Sequence, residues 1–113
     1  MARHIWVQRR DGEEPIYNEA FGSESAVRES WSEPAAKLGL QLIAAVYDRG
    51  FHEGIRWAGA KLDQLLEELG RLERHWQSAG LSPDVAKDLH ERAGYIRTAV
   101  ALAKQCSGYV NIV

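Results

Sequence analysis

The last five residues, "YVNIV" (109–113), follow Gly108 and alternate, with Val110 and Ile112 on one face. Period-two alternation reads as a strand with one side buried. A strand at a chain end needs a neighbour, because its backbone N–H and C=O groups must be satisfied. The matching pattern lies at the opposite end of the chain. From His4 to Arg9, Ile5 and Val7 fall on one face and His4, Trp6 and Gln8 on the other. The two ends are therefore expected to pair, and a sheet joining them dictates how everything between must pack.

What lies between is mostly helical. In "AKLDQLLEELGRLERHWQ", Leu62, Leu65, Leu66, Leu69, Leu72 and Trp76 form an apolar stripe, with Lys61, Asp63, Glu67, Glu68, Arg71 and Arg74 mostly opposite. Glu67 and Arg71 stand in the favourable i, i+4 order. Gly80 ends this helix, and Ser82-Pro83 starts the next, with Ser82 as N-cap and proline in the first turn. Val85, Leu89, Ala93, Ile96, Val100 and Ala103 continue at helical spacing, and Asp84 and Lys104 suit the two ends of the helix dipole. Residues 60–78 and 83–106 are thus predicted to form an antiparallel helical hairpin.

The N-terminal half is less regular. "DGEEP" reads as a turn, and "IYN" as a short second strand. A helical turn within 23–31 would be capped by Ser23 or Ser25. Ser32 before Glu33 and Pro34 has the form of a second N-cap, and Ala35, Leu38, Leu42, Ala45 and Val46 then recur at helical spacing up to Gly50. Residues 40–47 also fit a strand through Leu40, Leu42, Ala44 and Val46, so helix and strand both stay open there. "FHEGIRWAG" (51–59) carries two glycines, Gly54 and Gly59, and reads as a connection, with Trp57 anchoring the head of the following helix. The expected fold is α+β, a single domain over residues 1–113. A small sheet containing both terminal strands packs against the helical hairpin and a further helix.

Chemistry-bearing motifs are sparse. The four histidines, His4, His52, His75 and His90, have no metal-ligand spacing. Cys106, the single cysteine, sits near the end of an apolar helical face and reads as structural. One cysteine excludes an internal disulfide framework and fits a reducing compartment. No nucleophile elbow, phosphate loop or dinucleotide fingerprint occurs. Glu13/Glu14 and Glu67/Glu68 lie in polar surroundings, and a solvated face is the expected reading of both pairs. No enzyme, cofactor or metal site is expected. The net charge of −2 and pI of 6.1 disfavour nonspecific nucleic-acid binding. No apolar run suits a membrane span or a secretory signal, so a cytoplasmic location is expected.

Charge is unevenly placed. Residues 11–33 hold seven carboxylates and one base, Arg28, for −6, while the remainder, with nine acids and thirteen Lys and Arg, carries +4. Tyr17, Phe21 and Trp31 are interleaved with those acids. Aromatic anchors ringed by steering charges suit a protein interface. The candidate partner-binding set is Glu13, Glu14, Tyr17, Glu19, Glu24, Glu29, Trp31, Glu33 and Asp48.

The order of elements, with "GIRWAGAKLDQLLEELGRLERHW" followed by "RAGYIRTAVALAKQCSGYVNIV" closing on a strand, resembles the small immunity proteins of bacterial polymorphic-toxin and contact-dependent secretion systems. The resemblance spans most of residues 50–113 and consists of helix periodicity with a tryptophan at each end of the first helix. It implies a cytoplasmic protein that binds one cognate toxin domain and blocks its active site. It brings no catalytic residues with it, and the acidic segment lies outside it. An acidic module can also occupy the basic cleft of a nucleic-acid-directed toxin as a decoy. The competing expectations are a homodimeric regulatory or structural module and a phage-type inhibitor or adaptor of a larger machine. Monomer and homodimer both remain open.

Overall fold

The computed structural model describes residues 2–12, 14–47 and 54–113. Four strands, β1 (Ala2–Gln8), β2 (Pro15–Ser23), β3 (Ile55–Trp57) and β4 (Tyr109–Ile112), form one antiparallel sheet in the order β2-β1-β4-β3. The two ends of the chain do pair: Ile5 faces Ile112 and Val7 faces Val110. All four side chains are fully buried, as the alternation requires. The helices are α1 (Glu24–Ala26), continuing through a π segment (Val27–Ser32) into α2 (Glu33–Leu38), then α3 (Gln41–Ala44), α4 (Ala60–Ser78) and α5 (Pro83–Cys106). Their buried residues join Ile5 and Val7 in one continuous core on one side of the sheet. The fold is α+β.

The hairpin of α4 and α5 follows the sequence pattern. Leu62, Leu65, Leu69, Leu72 and Trp76 of α4 are buried against Leu89, Ala93, Ile96, Val100 and Ala103 of α5. Ser82 caps α5, its hydroxyl accepting from the Val85 N–H at 3.4 Å. Gly108 then returns the chain to the sheet. A Cβ at that position would lie 2.2 Å from the Gln8 carbonyl oxygen of β1, so only glycine admits the approach.

The N-terminal half departs from expectation in four places. β2 runs nine residues instead of three, from Pro15 to Ser23. Ser23 caps α1, accepting from the Ala26 N–H at 3.2 Å, but Ser32 caps nothing. Ser32 lies inside a helix that continues from Glu24 to Leu38, and Pro34 is accommodated by the π segment just before it. Proline cannot donate to the carbonyl four residues earlier and its ring crowds that group. A wider turn relieves the crowding, with the Glu33 N–H reaching back to the Arg28 carbonyl. The Ser30 carbonyl, deprived of a Pro34 donor, instead accepts from Trp76 Nε1 at 2.8 Å.

The helix then stops at Gly39, in the left-handed conformation (φ 75°), rather than running on to Gly50, which lies outside the described residues. Residues 41–44 are helical and 45–47 form a turn, which resolves the helix-or-strand ambiguity without a strand. The start of α3 is capped from elsewhere. Glu68 of α4, 5% exposed, accepts from the Ile43 N–H at 3.0 Å and the Leu42 N–H at 3.2 Å. Its carboxylate, expected on a solvated face, is therefore buried and engaged. Ser32 ties the same region down, donating to the Ile43 carbonyl and accepting from the Tyr47 N–H. The fourth departure is "IRW", which pairs with β4 as an edge strand, where the glycines had suggested only a connection.

Candidate protein-recognition surface

Because each strand alternates, the residues that turn away from the core fall together on the other side of the sheet. β1 contributes His4, Trp6 and Gln8, and β2 Asn18 and Ala20. Opposite Gln8 and Trp6, β4 contributes Tyr109 and Asn111, and Arg56 of β3 stands opposite Asn111. The described helices all stack on the Ile5/Val7 side, which leaves this outer face to polar and aromatic side chains.

Those side chains form an ordered layer. Asn111, 6% exposed, accepts from Arg56 Nε at 3.0 Å and donates to Gln8 Oε1 at 3.1 Å. The Arg56 guanidinium lies 4.6 Å from the centre of the Tyr109 ring, and that of Arg10 lies 5.6 Å from it, both within cation–π range. His4 Nδ1 and Asn18 Oδ1 are 2.9 Å apart. Trp6, Gln8, Arg56, Asn111 and Val113 line an open groove of about 420 Å³. The indole N–H of Trp6 is buried and has no hydrogen-bond partner among the described residues. A buried donor without an acceptor costs on the order of 1–3 kcal/mol.

The acidic segment does not assemble into one surface. Glu14 is exposed at the start of β2. Tyr17 and Glu19 lie on the helix-facing side of β2, partly buried beside α5. The Tyr17 phenol is hydrogen-bonded to Thr98, and its pKa is raised by burial and then by Glu19. Glu24, Glu29 and Glu33 lie along the first helix, across the sheet from the outer face. Arg28 sits 3.4 Å from Glu29 and 3.8 Å from Glu33, partly neutralising both. Tyr47 first, then Glu29, hold the Arg28 guanidinium above its usual pKa.

Trp31 corrects the expectation directly. It is 1% exposed, 4.5 Å from Phe21 and 4.7 Å from Trp76 between ring centres, so it is a core residue and no contact surface. Glu13 and Asp48 lie outside the described residues. The residues that sequence reasoning passed over are Arg56, Tyr109 and Asn111. Alternation of "YVNIV" already placed Tyr109 and Asn111 opposite Val110 and Ile112. Arg56 had no such signal, because its strand is three residues long, with Gly54 before it and Gly59 two residues after it.

Among the described residues, no three His, Cys, Asp or Glu converge where they could hold a metal ion. No helix of the described residues is long and apolar enough to cross a membrane. Comparison with protein-family models, with curated proteins and with solved structures returns no match, so the candidate site rests on geometry alone.

Proposed function

We propose that this chain is a non-enzymatic protein-recognition module that uses the outer face of its sheet, centred on Trp6, Tyr109 and Arg56. The observation that carries the reading is the contrast in cover: helices occupy one side of the sheet and an aromatic, arginine-containing layer the other. Tryptophan, tyrosine and arginine are the residue types that dominate binding energy at protein interfaces. The open groove beside Trp6 offers a socket for one side chain of a partner. Two guanidinium groups around Tyr109 favour a partner that brings carboxylates or carbonyl oxygens.

Within that class, the resemblance to immunity proteins supports neutralisation of a cognate bacterial toxin by occlusion of its active site. The contact region differs from the one expected of the acidic segment. Glu14, Glu29 and Glu33 are exposed and act as steering charges at a distance, where their effect falls off within a Debye length of about 8–10 Å.

The test is affinity capture from the native cell extract with three tagged forms: wild type, W6A/R56E and E14K/E29K/E33K. A partner recovered by the wild type and the triple variant, but lost with W6A/R56E, is the expected result. Recovery that survives W6A/R56E and disappears with the triple variant would move the interface to the acidic helix side. Thermal melts of all three forms guard against misfolding as the cause.

A further inference from the structure

The hydrogen-bond parity of β1 determines which backbone groups of β2 face outward. His4 and Val113 exchange both backbone hydrogen bonds at 3.0 Å, so the polar groups of His4 point toward β4. Antiparallel pairing alternates, so those of Trp6 and Gln8 also point toward β4, and those of Ile5 and Val7 toward β2. On β2, Glu19 and Tyr17 answer Ile5 and Val7. Asn18 and Ala20, opposite Trp6 and His4, must therefore turn their N–H and C=O groups out of the sheet, while Ile16 falls in the register irregularity between Val7 and Gln8, where alternation assigns no direction.

This edge has little protection. Strand edges in monomeric proteins are blunted by lysines, central prolines, bulges or covering loops, and the two register irregularities between β1 and β2 flank Tyr17–Ala20 without interrupting it. β2 has no lysine, its proline is the first residue, and Ile16 is 43% exposed. One carbonyl, that of Ala20, accepts from Arg92 of α5. A carbonyl has two lone pairs, so the in-plane position can still accept a second donor.

We infer that β2 pairs antiparallel with β2 of a second copy of this chain, about a two-fold axis at Asn18, to give a continuous eight-stranded sheet. The strand is self-complementary in this register. Asn18 meets Asn18 of the second copy and exchanges both hydrogen bonds with it. Ile16, at the irregular end of the strand, comes beside Ala20, which gives cover to the exposed apolar side chain, and Glu19 meets Tyr17, so no two carboxylates stand directly opposite. Moving the axis to Ala20 would centre it on the irregularity opposite Arg3 and His4 and bring the two Arg92 caps together. Moving it to Ile16 would leave only Pro15 to Tyr17 paired. This pairing is independent of the outer-face reading, because it uses the edge of the sheet and needs no other protein.

Sedimentation equilibrium over a micromolar to millimolar range tests it on the full chain. Wild type should show a concentration-dependent dimer. Asn18→Pro removes an outward N–H and no backbone bond to β1, losing only the exposed side-chain contact with His4, so the variant should keep the wild-type circular dichroism and associate at least about tenfold more weakly, the factor that a lost pair of inter-strand hydrogen bonds carries. Ile16→Lys is the second variant, should the proline impair folding, and it too should weaken association. A wild type that is monomeric throughout would overturn the proposal and leave the edge to an extended segment of another protein. A dimer unaffected by a folded edge variant would also overturn it, by placing the contact elsewhere.

Discussion

The two sides of this sheet are built from the same strands yet held in different ways. On the inner side, Ile5, Val7, Val110 and Ile112 have no exposure, and their order comes from burial under the helices. On the outer side, Gln8, Arg56, Tyr109 and Asn111 are ordered by hydrogen bonds and cation–π contacts, beside Trp6 and an open groove. A surface that needed only solubility would be met by scattered charges. An organised aromatic and polar layer, with the Trp6 indole N–H left without an acceptor among the described residues, is what the proposed recognition surface rests on.

Tryptophan makes the contrast most measurable. Trp31→Ala removes the centre of the Phe21–Trp31–Trp76 cluster and should destabilise the fold by about 3–5 kcal/mol in chemical denaturation. If the loss were below about 1 kcal/mol, Trp31 would not be the core residue its burial implies. Glu68→Ala comes next. It strips the start of α3 of two acceptors, and leaves buried N–H groups at Leu42 and Ile43 at a cost of about 1–3 kcal/mol. Hydrogen exchange should show the loosening at residues 41–44 first. Trp6→Ala should cost about 1 kcal/mol or less, in the range of a cross-strand pair, while abolishing partner capture. A large stability loss there would make Trp6 a packing residue and erase the distinction between the faces.

The smallest expected effect is a pH dependence on the helix side of β2. Tyr17 is held protonated by burial, with its pKa above the usual 10.0. The folded chain therefore keeps that proton where the unfolded chain has lost it. Stability from this group is complete below pH 10 and declines as pH rises from there through the folded-state value. Tyr17→Phe should flatten that part of the pH profile and leave neutral-pH stability nearly unchanged.

Legibility in the sequence tracked the length of the repeating pattern. α4 and α5 offer five or six apolar positions each in register, with Gly80 and Ser82-Pro83 marking the break between them, and both helices were readable to within a residue. β1 and β4 were readable as partners, because each alternates and neither could stand alone. The region from Ser23 to Val46 misled because its signals are local while its determinants are distant. Ser32 has the form of a cap, but its hydroxyl serves Ile43 and Tyr47. The true cap of α3 is Glu68, 25 residues beyond the amide of Ile43. Pro34 signals a helix start, yet a π segment carries the helix through it.

The same reasoning explains the misplacement of the candidate site. Charge density along the chain is not charge density in space: residues 11–33 pass from a turn through a sheet edge into a helix on the opposite layer. Acids surround Trp31 in sequence and suggest an interface anchor, but Glu29 and Glu33 are exposed while Trp31 is buried on the other side of the same helix. The outer face draws its members from all four strands, two of them at opposite ends of the chain. Only the pairing of those ends brings Trp6 beside Asn111.

The most direct test is covalent footprinting of the complex with the captured partner, comparing the reactivity of Trp6 and Tyr109 with that of Glu29 and Glu33. The account predicts that the two aromatic rings lose reactivity on binding while the two carboxylates stay as modifiable as in the free protein. Protection of the carboxylates with Trp6 and Tyr109 unchanged would contradict it, and would return the interface to the acidic helix.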